Sequence, residues 1–233
     1  TIPEFIETKV GSLPVVIICD ALHATKEKCC TETVQIVAQW IKQGWLIEPD
    51  ADLAADMYEM AGMELERQGY ESYEISNWAT KTEGGKSYTC RHNLQYWRGK
   101  PYLGLGAGAH GYADHTRTAN VMSPLIYRKK MQAVTEHQTL IFPASPAVSE
   151  TIHQRPDEER GEFMLMGLRL TQEGVGDAEF RERFGKTLED FYGYQIERLI
   201  KVGLLEWVDN ATRRLRLTTQ GRLLGNQVFR EFI

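Results

Sequence analysis

The clearest periodic pattern of apolar residues in this chain lies between residues 50 and 69. Apolar side chains recur there every four residues, which predicts one apolar face of an α-helix. The residues that share this face are Leu53, Met57, Ala61 and Leu65. Asp50 is suited to cap the start of the helix, and Gly69 is suited to end it. A strand signal, Tyr70–Ile75, follows at once, and this succession of helix, glycine turn and strand is typical of a βα unit.

The segment before this helix has weaker signals. Val15–Cys19 is an apolar run that predicts a buried strand, and Thr31–Gln43 predicts a helix closed by Gly44. Residues 1–45 carry no pattern that points to a function and remain unassigned. Alternating helix and strand signals make the chain α/β or α+β.

The last third of the chain predicts three helices and a hairpin. The predicted elements are helices Glu159–Leu170, Asp177–Phe184 and Thr187–Gly203, hairpin strands Leu204–Val208 and Arg214–Thr218 joined across Asp209 and Asn210, and a last helix from about Gln220. This order is the winged-helix plan. The segment Ala144–Pro156 is rich in proline and small polar residues, so we expect a linker there, separating a domain over 46–143 from a second one over 157–233.

A winged helix raises the alternatives of DNA binding and of protein docking. The whole chain has a formal net charge of -5, and residues 155–233 hold 13 basic and 14 acidic side chains. The positive field that attracts duplex DNA is therefore missing, and we expect no nucleic-acid partner. A non-catalytic docking module is the more favoured of these two alternatives.

Cysteine usage favours a reducing compartment. The four cysteines stand at 19, 29, 30 and 90, too few and too irregular for a disulfide framework. A zinc site formed by Cys19, His23, Cys29 and Cys30 is an alternative to buried thiols, although the spacing matches no common zinc pattern. No apolar run approaches a membrane span of about 20 residues, and the first residues do not resemble a secretory signal. We therefore expect a cytoplasmic protein.

The candidate chemistry is concentrated between residues 70 and 112. This stretch holds eight of the 23 aromatic residues. Within it, His92–Trp97 supplies an imidazole, an amide and two large aromatic rings in about two helical turns. The following stretch, Tyr102–Gly111, alternates small residues that allow close backbone approach. Such a combination favours a pocket for a wide, flat, metal-containing ligand, and Lys81–Lys86 is a polar loop suited to act as its lid.

Four blocks of sequence resemble the HemW haem chaperones, which are radical S-adenosylmethionine relatives of oxygen-independent coproporphyrinogen III oxidase. The blocks are Tyr73–Ala79, His92–Trp97, Tyr102–His110 and Arg216–Leu224. The likeness runs from about Trp40 to the C-terminus, whereas residues 1–38 do not resemble the family segment expected there. It implies the C-terminal part of a radical-SAM partial TIM-type barrel, followed by the small winged-helix-like domain.

The resemblance also implies roles for single residues. His92 is expected to ligate haem iron, with a hydrogen-bonded helix-start histidine as the alternative. Cys90 is a second possible ligand or a buried thiol, and Asn93 either orients His92 or a propionate or caps backbone. Tyr96 and Trp97 either contact the porphyrin or pack in a core. Arg91 and Arg98 are either propionate partners or solvated arginines, and His110 is either a second ligand or a loop histidine. Glu74, Ser76 and Asn77 stand at a strand end where barrel folds place functional groups, with a vestigial role in this chain as the alternative.

One departure from the family bears on catalysis. The intact family uses S-adenosylmethionine and a 4Fe–4S cluster held by C-x-x-x-C-x-x-C, and this sequence contains neither that motif nor the Gly-Gly-x-Pro stretch that grips S-adenosylmethionine. We therefore interpret the chain as the haem-binding, C-terminal portion of such a protein. Radical chemistry is not expected of it as it stands, although coproporphyrinogen oxidation remains the enzymatic alternative.

The expected partners are haem and haem-acceptor proteins, with the respiratory chain as one source of acceptors. We further expect membrane contact only through such an acceptor, and a homodimer as the oligomeric alternative to a monomer.

Overall fold

The computed structural model describes residues 15–17, 39–46, 50–80, 88–133, 142–208 and 212–233. The predicted zinc alternative at Cys19, His23, Cys29 and Cys30, the predicted lid at 81–86 and the hairpin turn at 209–210 lie outside these residues, as does most of the helix predicted from Thr31. Among the helices that the structure describes, none is long and apolar enough to span a bilayer.

Helices and strand hairpins are interspersed along the chain. The first part contains β1 (Val15–Ile17), α1 (Ala51–Arg67), β2 (Tyr70–Glu74), β3 (Asn77–Thr80), α2 (Arg91–Trp97), β4 (His110–Ala113), β5 (Thr116–Asn120), α3 (Pro124–Gln132) and β6 (Val148–His153). The second part contains α4 (Pro156–Leu168), β7 (Val175–Gly176), α5 (Asp177–Phe184), α6 (Leu188–Lys201), β8 (Leu205–Val208), β9 (Arg214–Leu217), α7 (Thr219–Leu223) and α8 (Gly225–Phe229).

The described strands form three antiparallel sheets of three strands, in the orders β1-β3-β2, β4-β5-β6 and β7-β9-β8. The strand predicted over Tyr70–Ile75 ends at Glu74, because the chain turns at Ile75 and Ser76 and returns as β3. Tyr70 and Trp78 are almost fully buried in this hairpin.

Helix α1 is confirmed with its caps, but only half of its apolar face is covered. The Asp50 carboxylate accepts hydrogen bonds from the amides of Asp52 and Leu53, and Gly69 adopts a positive φ of 84° after the helix. Ala61 and Leu65 are buried, whereas Leu53 remains 56% exposed. Covering the first turns of this face requires apolar surface that the described part of the chain does not supply.

The linker predicted at Ala144–Pro156 is wrong over most of its length. Val148–His153 is strand β6 and pairs with β5, and Pro156 is the first residue of α4, where its missing amide hydrogen costs nothing. The segment therefore joins the two parts through a sheet instead of separating them. The domain boundary itself stays a prediction.

The second part has the predicted order of helices and hairpin. Helix α5 ends at Gly185 in the left-handed region, and Thr187 caps α6 by accepting the Asp190 amide. The last helix breaks into α7 and α8 at Leu224. The large core of this part is made by the residues Met164, Leu168, Phe180, Leu188, Ile196, Leu205, Leu215, Leu217 and Val228.

Candidate functional site

Helix α2 carries the His92–Trp97 block and turns one face to a cavity. His92 and Tyr96 are four residues apart, as are Asn93 and Trp97, so each pair lies on one side of the helix. Leu94 points to the opposite side, into a small core with Tyr73 and Leu170. The structure thus brings together His92, Asn93, Tyr96 and Trp97, as the sequence predicts.

The cavity has a volume of about 870 Å³, within the range of roughly 300–1,000 Å³ usual for small-molecule sites. Four parts of the chain form its walls: helix α2, the loop from Gly99 to Gly111, strands β5 and β6, and helices α4 and α5. Phe163 and Met166 of α4 and Ile152 of β6 supply apolar surface far in sequence from the His92–Trp97 block. The second part of the chain therefore completes the pocket.

Gly104 and Gly111 belong to the stretch Tyr102–Gly111, whose small residues predict close backbone approach, and both pack closely against other parts of the chain. A methyl group on Gly104 would lie 2.5 Å from the His110 carbonyl oxygen, and one on Gly111 would lie 2.7 Å from the Thr118 hydroxyl. The close approaches at these glycines are thus between the loop and strand β4 for Gly104, and between β4 and β5 for Gly111. Leu103 and Leu105, which alternate with them, are exposed at the cavity.

Asn120 holds this loop in place, and sequence reasoning missed it. Its buried side chain donates hydrogen bonds to the carbonyl oxygens of Gly104 (3.0 Å) and Gly106 (2.9 Å). Its own carbonyl accepts one from the Ser145 hydroxyl. The Tyr127 hydroxyl accepts the Gly106 amide hydrogen. A lone asparagine at the end of a strand gives no signal that it braces a loop 14 residues away.

A row of aromatic side chains leads from His92 across the cavity. The Tyr96 hydroxyl lies 3.2 Å from His92 Nε2, and the two rings meet edge to face. Tyr96 also meets Tyr102 edge to face, with ring centres 4.5 Å apart. Tyr102 pairs with Tyr112 through two backbone hydrogen bonds. The imidazole predicted to be an iron ligand is therefore hydrogen-bonded by its own helix.

A buried carboxylate stands where the aromatic row meets the second part of the chain. Glu159 accepts hydrogen bonds from Arg183 (2.6 Å) and the Tyr112 hydroxyl (2.9 Å), and it contacts His115 Nδ1 at 2.7 Å. Burial acts to raise the pKa of Glu159, but the hydrogen bonds from Arg183, His115 and Tyr112 outweigh it and lower that pKa. Burial, together with the hydrogen bond to Glu159, raises the pKa of Tyr112 to about 12. Glu159 is therefore ionised and Tyr112 neutral at pH 7.

The position of His115 in this cluster depends on a tight turn. Asp114 and His115 have φ of 49° and 55° and connect β4 to β5 as a two-residue hairpin turn with both residues left-handed. The turn brings His115 to Glu159, 44 residues further along the chain. Neither Glu159, Arg183 nor His115 carries a sequence signal of this contact.

The predicted propionate partners lie in different places. Arg98 is engaged by Glu173 at 2.7 Å, and Arg91 is exposed outside the cavity wall. In the cavity, Arg117 pairs with Glu162, as Arg183 pairs with Glu159. These two ion pairs neutralise the carboxylates of the α4 wall. Lys100 lines the cavity as well, at the exposed end of the loop.

Cys90 is not among the residues that line the cavity. It is the residue before α2, and it packs partly buried with Tyr88 and Trp97 against the core around Tyr73. Trp97 lies between the cavity and this core, because it borders the cavity and packs against the core. The central carbon of the Arg169 guanidinium lies 4.5 Å from the centre of its ring. The Trp97 Nε1 is buried without a hydrogen-bond partner. His110 lines the cavity from the exposed start of β4.

The strand-end residues Glu74, Ser76 and Asn77 bind one another and not the cavity. The fully buried Glu74 carboxylate accepts the Ser76 amide at 2.7 Å and an Asn77 side-chain hydrogen bond, and it pairs with Arg169 at 3.1 Å. This network ties the β2–β3 turn to the end of α4.

Three arginines of the winged-helix hairpin, Arg213, Arg214 and Arg216, are paired with carboxylates. Arg213 contacts Glu189, Arg214 contacts Glu179, and Arg216 contacts Glu206, all within 2.8 Å. These ion pairs offset the local positive charge of the hairpin, and the absence of a nucleic-acid partner stays a prediction. Within the described residues, no three His, Cys, Asp or Glu side chains converge as a metal site.

Comparison with known proteins identifies the relatives of the chain. Residues 155–224 match the family of the HemN C-terminal domain. The chain is 33% identical over 214 residues to the haem chaperone HemW of Bacillus subtilis, covering 92% of this chain and 52% of that protein. It is also 33% identical over 215 residues to HemW of Mycobacterium tuberculosis, covering 91% of this chain and 47% of the relative. The chain thus spans about half the length of these curated relatives.

Two further similarities concern the radical S-adenosylmethionine proteins. The mitochondrial radical S-adenosyl methionine domain-containing protein 1 of Mus musculus is 34% identical over 174 residues, covering 71% of this chain and 36% of that protein. Among solved structures, coproporphyrinogen III oxidase (HemN) of Escherichia coli, described as a radical SAM enzyme, superposes with a TM-score of 0.53 at 15% identity, over 79% of this chain and 42% of that one. The last similarity shows a shared fold. We conclude that this chain is similar to haem chaperones named HemW over about half of their length, and that its residues 155–224 match the HemN C-terminal domain.

Proposed function

We propose that the chain binds haem in the cavity beside α2, with His92 as an iron ligand, and passes the haem to acceptor proteins. The observation that carries this proposal is the convergence of His92, Asn93, Tyr96 and Trp97 on one cavity of about 870 Å³. The proposal agrees with the haem chaperones to which the chain is similar.

The cavity suits a flat, largely apolar ring with two acidic groups. Its walls contain aromatic and aliphatic side chains such as Tyr96, Phe163 and Met166. The carboxylates of α4, which would repel propionates, are neutralised by Arg117 and Arg183. Lys100, at the exposed end of the cavity, offers a positive charge to an acidic group. The Trp97 Nε1–H group has no hydrogen-bond partner among the described residues, and a small rotation of the side chain would direct it towards a bound molecule.

The geometry favours His92 over Cys90 as the ligand. His92 is exposed at the cavity, and a neutral imidazole nitrogen is a common haem-iron ligand. Cys90 would have to leave its packing against Trp97 and Tyr73 to reach the same ring. His110, on the cavity wall, is the second imidazole that we propose as a candidate ligand.

A haem titration followed by visible absorption tests this proposal. We expect the wild type to give a saturable, shifted Soret band and His92→Ala to lose that band, because removal of the imidazole leaves the iron without its ligand. His153→Ala is the matched control: His153 lies on β6, bonded to Thr116 and not on the cavity wall. Identical titrations of wild type and His92→Ala would refute ligation by His92, and Cys90→Ala and His110→Ala decide between the remaining ligands.

The residues of this chain do not fit an iron–sulfur cluster. The sequence contains no C-x-x-x-C-x-x-C motif, and Cys90, the cysteine that the structure describes, lies in an aromatic core. The radical S-adenosylmethionine relatives imply a cluster and S-adenosylmethionine in the family, but no step of the proposed function uses either group. We propose the cytoplasm as the place of action, from the reduced cysteines that the sequence predicts.

We further propose that the winged-helix part serves as structure and docking surface for acceptors. Arg213 and Arg214 of its hairpin are engaged by carboxylates, and α4 and α5 supply one wall of the cavity. An acceptor that contacts this part is thus placed next to the haem. Salt-sensitive binding of duplex DNA by the chain would contradict this assignment.

A further inference from the structure

We propose that the Tyr96 hydroxyl competes with haem iron for His92 and thereby weakens haem binding and speeds haem release. The inference rests on the proposed function and deepens it. It concerns the nitrogen of His92 that the chain already uses before any haem is present.

The hydrogen bond with Tyr96 engages the Nε2 nitrogen of His92. An imidazole ligates iron through a nitrogen that carries no hydrogen and has no other partner. Nε2 is the ring nitrogen farther from the backbone, and in this structure it lies 3.2 Å from the Tyr96 hydroxyl. Whichever of the two groups donates, this hydrogen bond must break before Nε2 binds iron.

Contacts with neighbouring rings restrain the Tyr96 side chain. Its ring is held edge to face by Tyr102, with centres 4.5 Å apart, and by His92 itself at 4.9 Å. Tyr102 is fixed in turn by backbone hydrogen bonds to Tyr112 of 2.7 and 2.8 Å. The hydroxyl is therefore kept next to Nε2 and can rebind it as soon as the iron leaves.

The hydrogen bond between Tyr96 and His92 favours release of haem from a carrier. A ligand nitrogen that has an alternative partner is exchanged more easily than one that has none, since the leaving iron is replaced by a hydrogen bond at once. The bond is exposed, so its net worth is at the modest end of the usual range. Removal of the hydroxyl should thus tighten haem binding about 2- to 10-fold, which is the factor that one such hydrogen bond supplies.

The variant Tyr96→Phe tests this competition because it keeps the ring and removes only the hydroxyl. We expect its haem dissociation constant to fall about 2- to 10-fold and haem transfer to apomyoglobin to slow by a similar factor. Tyr194→Phe, a hydroxyl exposed on α6 far from the cavity, serves as control and should match the wild type. Unchanged or weaker haem binding by Tyr96→Phe would overturn the inference.

A measurement on the haem-free chain separates this inference from the proposed function. Nitrogen-15 NMR of the His92 ring should show a changed Nε2 resonance in Tyr96→Phe and no change in Tyr194→Phe, because the hydrogen bond is lost only in the former. Equal spectra would overturn the inference even where haem binds through His92. Haem binding that does not depend on His92 would overturn the proposed function and the competition together. The Nε2 resonance of the haem-free chain reports the hydrogen bond in either case.

Discussion

Replacing Arg183 by alanine should expose how much the cavity wall depends on one buried ion pair. Arg183 donates to Glu159 through Nε and Nη2, to the Tyr112 hydroxyl at 2.6 Å and to the Gly99 carbonyl oxygen at 2.8 Å. It therefore links α5 to α4, to β4 and to the end of α2. Its loss leaves the Glu159 carboxylate, 6% exposed, with only His115 and the Tyr112 hydroxyl as side-chain partners among the described residues.

The expected cost follows from the burial of the two partners. Breaking a fully buried pair by removing one member costs about 3–5 kcal/mol, because the remaining charge stays desolvated. The Arg183 side chain is 25% exposed, so water replaces part of its effect, and we expect a loss of about 2–4 kcal/mol in the free energy of unfolding. With a urea slope of about 2 kcal/mol per molar, the unfolding midpoint should fall by about 1–2 M.

The dependence on pH gives the sign of the electrostatic effect. The pKa of Glu159 lies below its ordinary value in the folded chain, so its contribution to stability is present above about pH 4.5 and is lost as the pH falls through the folded pKa. The penalty of Arg183→Ala should consequently be full at pH 7 and shrink in acid, where Glu159 becomes protonated.

Urea unfolding followed by circular dichroism measures this penalty. Arg181→Ala is the matched control, since Arg181 lies on the same helix with an exposed side chain, and it should change stability by less than about 0.5 kcal/mol. Equal midpoints for the two variants at pH 7, or a penalty for Arg183→Ala that grows in acid, would refute the reasoning.

Three further variants test other parts of the structure. Asn120→Ala should destabilise the chain by about 1–3 kcal/mol and speed hydrogen exchange at the Gly106 amide, because two carbonyl oxygens of the loop lose their donor; unchanged exchange would show that the loop does not need this brace. Gly104→Ala should lower the unfolding midpoint by at least the equivalent of about 1–3 kcal/mol, since its methyl group would overlap the backbone of His110. Gly62→Ala, in the interior of α1 with open space around it, should instead raise stability by up to about 1 kcal/mol, and thermal unfolding of the two glycine variants should show shifts of opposite sign.

Local sequence signals predicted most of the helices and their ends. Asp50 and Thr187 begin α1 and α6, and Gly69, Gly185 and Gly203 follow helix ends with positive φ. These features are set by a few neighbouring residues, because capping hydrogen bonds and left-handed glycines act within one turn. The proline-rich segment before Pro156 predicted a linker instead of strand β6, because its pairing partner, β5, lies some 30 residues earlier.

The short-range part of the site follows from the order of residues along the chain. His92 and Tyr96 share a face of α2 because they stand four residues apart, and the resemblance to haem chaperones marks the same block. Three other features depend on the folded arrangement: Glu159 and Arg183 close the cavity, Asn120 braces the glycine loop, and the Tyr96 hydroxyl holds His92 Nε2. The first two depend on contacts between residues 14 to 24 positions apart in different elements, and the third depends on side-chain rotamers. Spacing along the chain fixes neither the contacts between elements nor the side-chain rotamers, because both are set by how helices and strands pack against one another.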